Sequence, residues 1–157
     1  MTPMQTTNIR PMRWRDIEPV HDIESISFPN TTWTVEMFWS ELAGAPETRW
    51  YVVAEQGERI VGYAGLMTVG ADADVQTLSV ASDVRRSGLG NRLLAELMAE
   101  ASRRGCTRIF LEVRADNDSA RRLYERNGFE VIARRPDYYA PGLDAVMMRR
   151  SIERVEP

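Results

Sequence analysis

"LSVASDVRRSGLGNRLL", Leu78 to Leu94, is the stretch on which the reading of this chain turns. A strand-like run, Leu78–Ser79–Val80, gives way to paired arginines and then to two glycines, Gly88 and Gly90, one residue apart. Beyond them the apolar residues fall at helical spacing. Leu89, Leu93 and Leu97 form one stripe, Leu94, Met98 and Ala101 lie beside it, and Gly105 marks the stop. A helix start presents backbone N–H groups that no intrahelical carbonyl accepts, and the helix dipole adds partial positive charge there. Glycine lets an anion approach those amides unobstructed, and Arg85 and Arg86 can add charge-assisted bonds. No Gly-Lys-Ser/Thr follows, as in a P-loop, and Leu93 stands where a dinucleotide fingerprint has its third glycine. The residues alone leave a tight turn and a phosphate cradle both open.

Upstream, "NIRPMR" reads as a first strand, and "DIEPVHDIESISF" as a helix with Ile17, Val20, Ile23 and Ile26 on its apolar side. "TVEMFWSELAG" reads as a second helix, with Thr34 as N-cap and a stop near Gly44. "RWYVVAEQ" and "RIVGYAGLMTV" flank Gly57–Glu58 as a hairpin, and "ADVQTLSVA" alternates Val75, Thr77 and Ser79 against Gln76, Leu78 and Val80. Downstream come the strand "RIFLEVR", a short helix in "NDSARRLYERNG" with Asn117 as N-cap, and the strand "FEVIARR". A loop, "PDYYAPGLD", and the strand "AVMMRRSI" close the chain. Strand, two helices, three strands, helix, strand, helix, two strands predicts an α/β fold: a mixed sheet of about seven strands with about four helices, covering both faces. No repeat or linker divides the sequence, so residues 1–157 are expected to form one domain.

Composition narrows the function classes. The chain has 157 residues, 43% hydrophobic and 27% charged, as in an ordinary globular domain. A net charge of -3 argues against non-specific nucleic-acid binding, and Arg103–Arg104, Arg121–Arg122, Arg134–Arg135 and Arg149–Arg150 read as solvated element ends ahead of a polyanion surface. The single cysteine, Cys106, is expected to be a buried, inert thiol, and His21 has no partner histidine or cysteine, so no metal site is expected. "MTPMQTTNIR" holds no apolar run of signal-peptide length and no segment reaches a membrane span, which makes a cytoplasmic location the expectation.

With its context, the opening stretch resembles the acetyl-CoA signature of the GCN5-related N-acetyltransferases, Arg/Gln-x-x-Gly-x-Gly/Ala, whose three defined places Arg85, Gly88 and Gly90 fill. The resemblance implies that amides of Arg85, Arg86, Ser87, Gly88, Leu89 and Gly90 bind the pyrophosphate of acetyl-CoA. It also implies that Leu78, Ser79 and Val80 pair with the pantetheine arm like an added strand, for which the amides of pantetheine are suited. "RIFLEVRADNDSARRLYERNGF" looks like the corresponding block of the RimI branch, the ribosomal-protein alanine N-acetyltransferases. "VHDIESISFP" and "RRPDYYAPGLDAVMM" lie where that branch has similar runs, so the likeness covers nearly the whole chain.

Acetyl transfer from a thioester requires a neutral amine, a polarised carbonyl, a stabilised thiolate and reactants held in line. By pattern, Glu112 is either a partly buried carboxylate with a raised pKa or a solvent-facing partner of Arg114. The resemblance implies a proton acceptor there, acting directly or through water. Tyr124 is by pattern a packing residue or a functional one, and the resemblance implies a proton donor near the sulfur of CoA. Asn117 caps a helix by position and contacts CoA by resemblance. The backbone N–H of Val80 is the expected partner of the thioester oxygen. No Ser, Cys or His constellation supports a covalent acetyl-enzyme, so direct attack is expected.

The acceptor reading rests on acidity. At neutral pH roughly a tenth of α-amines are uncharged, against less than about a thousandth of lysines, which biases a site with one moderate base toward peptide N-termini. The RimI resemblance implies the N-terminal alanine of a small-subunit ribosomal protein as the acceptor. Tyr138 and Tyr139 fit a substrate-gripping pair or a cover for the sheet edge. The branch runs Phe-Pro-Trp where this chain has "FPNTTW", with three residues inserted before Trp33, in the loop that shapes the acceptor pocket. Acetylation of lysine or a small amine, and a non-catalytic acyl-CoA-binding module, are the competing readings.

Overall fold

A hairpin ladder opens the sheet and one parallel pairing interrupts it. In the computed structural model, which describes residues 6–153, the strands are β1 (Thr7–Pro11), β2 (Arg49–Gln56), β3 (Arg59–Val69), β4 (Asp72–Val80), β5 (Arg108–Arg114), β6 (Glu130–Ala140) and β7 (Leu143–Ser151). The first five residues of the N-terminal stretch read for a signal peptide lie outside the described residues. The seven-stranded sheet has the order β1-β2-β3-β4-β5-β7-β6, with every neighbour antiparallel except β4 and β5. Four helices flank it: α1 (Ile17–Ser27), α2 (Val35–Ala43), α3 (Leu89–Arg103) and α4 (Asp118–Arg126).

Each face of the sheet has its own core. Leu89, Leu93, Leu94, Leu97 and Ala101 of α3 pack on Val61, Ala64, Val75, Ile109, Leu111 and Val113, joined by Tyr124 and Phe129 from the α4 region. On the other face, Ile17, Val20 and Ile23 of α1 and Phe38 and Leu42 of α2 cover Tyr51, Val53 and Tyr63. Burying one such leucine contributes about 1.5–3 kcal/mol, and the crossover from β4 to β5 rests on this leucine stripe. Gly65 leaves room for the Tyr51 ring, because a Cβ there would lie 2.2 Å from it.

Two sequence expectations are corrected here. Ile26 is 71% exposed, and Glu24 takes the inward place with 2% exposure. At about 100° per residue, steps of three drift backward around a helix, so position 26 ends opposite Ile17 while position 24 returns beside it. The expected loop "PDYYAPGLD" is largely strand: β6 runs through Tyr138 and Tyr139 to Ala140, with an irregularity between Arg135 and Ala140, and the turn is confined to Pro141–Gly142.

The feature that positions the site is a fork between β4 and β5. Their parallel pairing covers only Asp72–Val75 against Arg108–Leu111, yet β4 continues to Val80 and β5 to Arg114. Just beyond the last pair, Gln76 is an extra residue between Val75, opposite Leu66, and Thr77, opposite Gly65. This bulge breaks the expected alternation. Val75 lies in the α3 core, whereas Thr77 and Ser79 turn toward α1 and bond to Glu24 and Ser27.

Candidate active site

The open edge of β4 is main chain. Ala81 N–H donates to the Val61 carbonyl at 2.8 Å. In antiparallel alternation Ser79 and Thr77 therefore also turn their main-chain groups to β3, and Leu78 and Val80 turn theirs into the fork. Of the run Leu78–Ser79–Val80, two residues thus turn their backbone into the fork, and the Val80 N–H is without a partner there among the described residues. Ser79 contributes a side chain instead, its hydroxyl 2.6 Å from that of Ser27. Arg85 reaches back across this edge, Nε donating to the Val80 carbonyl at 3.4 Å and a terminal nitrogen to Ser27 Oγ at 3.3 Å.

At the mouth of the fork the loop into α3 turns sharply. Arg86 and Gly88 have φ of 66° and 83°, and Gly88, the N-cap, supplies no capping side chain. A Cβ on Gly88 would meet nothing, so its glycine answers to conformation; one on Gly90 would touch Leu123 at 3.4 Å. Gly90 therefore brings α3 close to α4 as well as opening the helix start. Among the described residues, the N–H groups of Ser87 to Asn91 have no backbone acceptor, and the first helical bond is from Arg92 to the Gly88 carbonyl at 3.2 Å. Ser87 Oγ donates to the Val84 carbonyl at 2.6 Å, which holds the turn. Amides without partners, a positive helix end and two arginines fit a diphosphate.

The candidate proton carriers come from β5 and α4. Leu111 and Val113 face α3, so Glu112 faces the α1 side. Glu112 keeps 30% side-chain exposure, and its cation is Arg135 of β6 at 3.6 Å. The expected partner, Arg114, is engaged by Asp116 at 2.9 Å. Asp74 shares this face, and burial, with the negative charge of Glu112 next, pushes its carboxyl up to about 6. Tyr124 is buried edge-on to Phe129, with ring centroids 5.7 Å apart. Burial raises its pKa, so the phenol stays protonated and can offer a hydrogen bond to sulfur. Asn117 caps α4, accepting from Ala120 N–H at 3.2 Å.

The residues expected on the acceptor side come from separate elements. Tyr138 and Tyr139 meet edge to face at 5.1 Å, and Tyr138, 50% exposed, lies under the Arg135 guanidinium. Burial and then the charge of Glu112 raise the Tyr139 phenol. Trp33 packs against Phe38 at 5.2 Å, and its N–H approaches Glu24 Oε2 at 3.4 Å. The sequence reading missed Glu24, which accepts from Tyr63 at 2.7 Å and Thr77 at 3.2 Å and so ties α1 to the bulge of β4. Burial raises its pKa against those three donors. The helical angle of residue 24, counted from Ile17, was the signal that could have found it.

Residues 17–129 match the Acetyltransferase (GNAT) family. The chain belongs to that family. An N-alpha-acetyltransferase RimI of Mycobacterium tuberculosis is 40% identical over 123 residues, 75% of each chain. The crystal structure of the Escherichia coli ribosomal-protein-S18-alanine N-acetyltransferase superposes with a TM-score of 0.86 at 28% identity, covering 96% of this GNAT chain and 97% of that one. An uncharacterised protein of Mycobacterium leprae is 39% identical over 144 residues, of whose longer sequence this chain spans 39%. Among the described residues no helix is long and apolar enough to cross a membrane, no His/Cys/Asp/Glu group could hold a metal ion, and Cys106 is buried.

Proposed function

We propose that this GNAT chain transfers the acetyl group of acetyl-CoA to the N-terminal α-amine of a protein, in the manner of RimI, with the N-terminal alanine of a small-subunit ribosomal protein as acceptor. The observation that carries the reading is the fork. Its β4 edge offers free main-chain groups at Leu78 and Val80, its mouth offers the amides of Ser87 to Asn91, and its β5 side offers Glu112. The whole span 1–157 works as one unit in a cytoplasmic setting.

In this reading the diphosphate rests on the loop from Arg85 to Gly90, and the pantetheine arm lies along Leu78–Val80 once Arg85 has released the Val80 carbonyl. Val80 N–H holds the thioester oxygen as charge develops on it. Glu112 removes a proton from the acceptor ammonium, and the nitrogen lone pair attacks the carbonyl carbon. The C–N bond forms, the C–S bond breaks, and the thiolate takes a hydrogen bond or a proton from Tyr124. The nitrogen loses two protons in becoming an amide and sulfur gains one, so one proton leaves to solvent. Trp33, Tyr138 and Tyr139 flank the acceptor's path.

A peptide bearing both a free N-terminal alanine and an internal lysine separates the acceptors by mass spectrometry. Acetyl on the α-amine is the expected product; acetyl on the lysine alone would overturn the α-amine reading. Failure of acetyl-CoA to bind in calorimetry would overturn the cofactor assignment.

A further inference from the structure

We propose that Asp74 is a proton relay behind Glu112, taking the first proton removed from the acceptor nitrogen so that Glu112 is free to take the second. This rests on the reading of Glu112 as base. Asp74 works through Glu112 and is a positioning residue for the proton.

An ammonium becomes a secondary amide by losing two protons from the same nitrogen, one before attack and one as the tetrahedral intermediate collapses. A lone carboxylate holds only one and must discharge it to solvent while acetyl-CoA and the peptide are in place. A second carboxylate beside the first removes that delay.

The sheet supplies one. Asp74 stands opposite Phe110 in the parallel register, so Glu112 is its diagonal neighbour on the next strand. Ala73 and Val75 lie in the α3 core, as do Leu111 and Val113, which turns Asp74 and Glu112 to the same, opposite face. This is also where β4 and β5 begin to part, one residue before the last pair. Gln76, the bulge residue, donates from its amide to Asp74 Oδ1 at 3.3 Å and holds that carboxyl in place.

The neighbouring groups favour proton uptake by the pair. Met67 of β3 and Phe110 of β5 stand opposite Asp74 without charge. Asp72, two residues earlier on β4, is paired with Arg108 at 2.9 Å. Glu24 of α1 is occupied by Tyr63, Thr77 and the Trp33 amide. Arg135 of β6 pairs with Glu112 at 3.6 Å, and the Tyr139 phenol of the same strand feels the charge of Glu112. No cation is paired with Asp74 among the described residues, so its charged form is opposed by burial and by Glu112. Two carboxylates so placed take up a first proton more readily than either would alone. A carboxyl at about 6 holds a proton and still returns it near neutrality.

The test is the pH dependence of kcat/KM for an alanine-terminal peptide in wild type, Asp74→Asn, Glu112→Gln and the double variant. Acetyl-CoA affinity is followed by calorimetry throughout. Expected for Asp74→Asn are a loss of about tenfold in kcat, a displaced acidic limb and unchanged acetyl-CoA affinity. The double variant should be no slower than Glu112→Gln. An unchanged rate and pH profile in Asp74→Asn, with Glu112→Gln slow, would overturn the relay and leave the base reading standing. A rise in KM alone would likewise overturn it, assigning Asp74 to attraction of the cationic acceptor. If Glu112→Gln is not slowed, base and relay fall together. Carboxyl carbon NMR needs no Asp74 variant: Asp74 should titrate above the usual aspartate range in wild type and move down in Glu112→Gln. Ordinary titration in both proteins would overturn the proposal.

Discussion

The two walls of the fork are built from different material. On the β4 and α3 side the candidate groups are backbone: the fork-facing edges of Leu78 and Val80 and the amides of Ser87 to Asn91. On the α1 side they are side chains drawn from four elements, Glu24 of α1, Asp74 of β4, Glu112 of β5, and Arg135 and Tyr139 of β6. A backbone wall tolerates exchange of most side chains but not of backbone conformation. A side-chain wall behaves in the opposite way, so substitutions on the two walls should separate binding of acetyl-CoA from transfer.

The largest expected effect is on the side-chain wall. Glu112→Gln should lower kcat/KM by about 10²–10⁴, the usual range for general base catalysis, with acetyl-CoA affinity held. Rate assays and calorimetry on the same preparation check it. Gly88→Val is the counterpart on the backbone wall. With φ at 83°, a β-branched residue is strained by roughly 1–2 kcal/mol, and escape from that strain swings the loop amides away. Acetyl-CoA affinity should fall by about tenfold or more, in step with that strain. If Gly88→Val bound acetyl-CoA normally and only slowed transfer, the division between the walls would be wrong.

The same division explains what could be read before the structure. The backbone wall is local, with a strand end, a turn and a helix start within residues 78–94, and its pattern survives translation into one dimension. The side-chain wall depends on register. Nothing in "ADADVQTLSV" announces that a bulge at Gln76 puts Asp74 on the face of Glu112 while reversing Thr77 and Ser79. Arg135 was out of reach for the same reason: the pairing of β6 with β7, next to β5, brings it to Glu112 across 23 residues of sequence. Glu24 is a different case. Its angle on α1 was computable, but the steps of three favoured Ile26, and a charged residue on a core face went unrecognised. Proline, glycine and aspartate around the tyrosines of β6 read as a loop, whereas the strand absorbs them through the irregularity at Asp137, where φ is 55°.

Tyr124 belongs to neither wall and tests both. Tyr124→Phe keeps the ring that packs on Phe129 and removes only the hydroxyl, so folding stability should change little. Transfer should slow by about tenfold if the hydroxyl meets the departing sulfur. A smaller effect follows from Asp74. Its carboxyl is raised above the unfolded value, so the folded state binds more protons between about pH 4 and pH 6, and its contribution to stability falls as pH rises through that window. Asp74→Asn should therefore be more stable than wild type at pH 7, by about 1–2 kcal/mol after allowing for partial exposure, and equal to it near pH 4. Urea denaturation at the two pH values measures this. A slower and more stable variant would mark the second carboxylate as kept at the expense of the fold.

The smallest expected effect distinguishes two roles of one residue. Asn117 caps α4 through its side-chain oxygen, and the proposed contact with CoA would fall to its amide nitrogen. Asn117→Ala removes both and should lower stability by about 1 kcal/mol, the usual cost of a lost N-cap. Asn117→Ser keeps an acceptor for the Ala120 N–H, so thermal denaturation should show most of that stability restored. The amide donor is still gone in the serine variant, and acetyl-CoA affinity should fall as far as it does in the alanine variant. If affinity instead returned with the cap, the contribution of Asn117 would be purely to hold the first turn of α4, and through it the hydroxyl of Tyr124, in place.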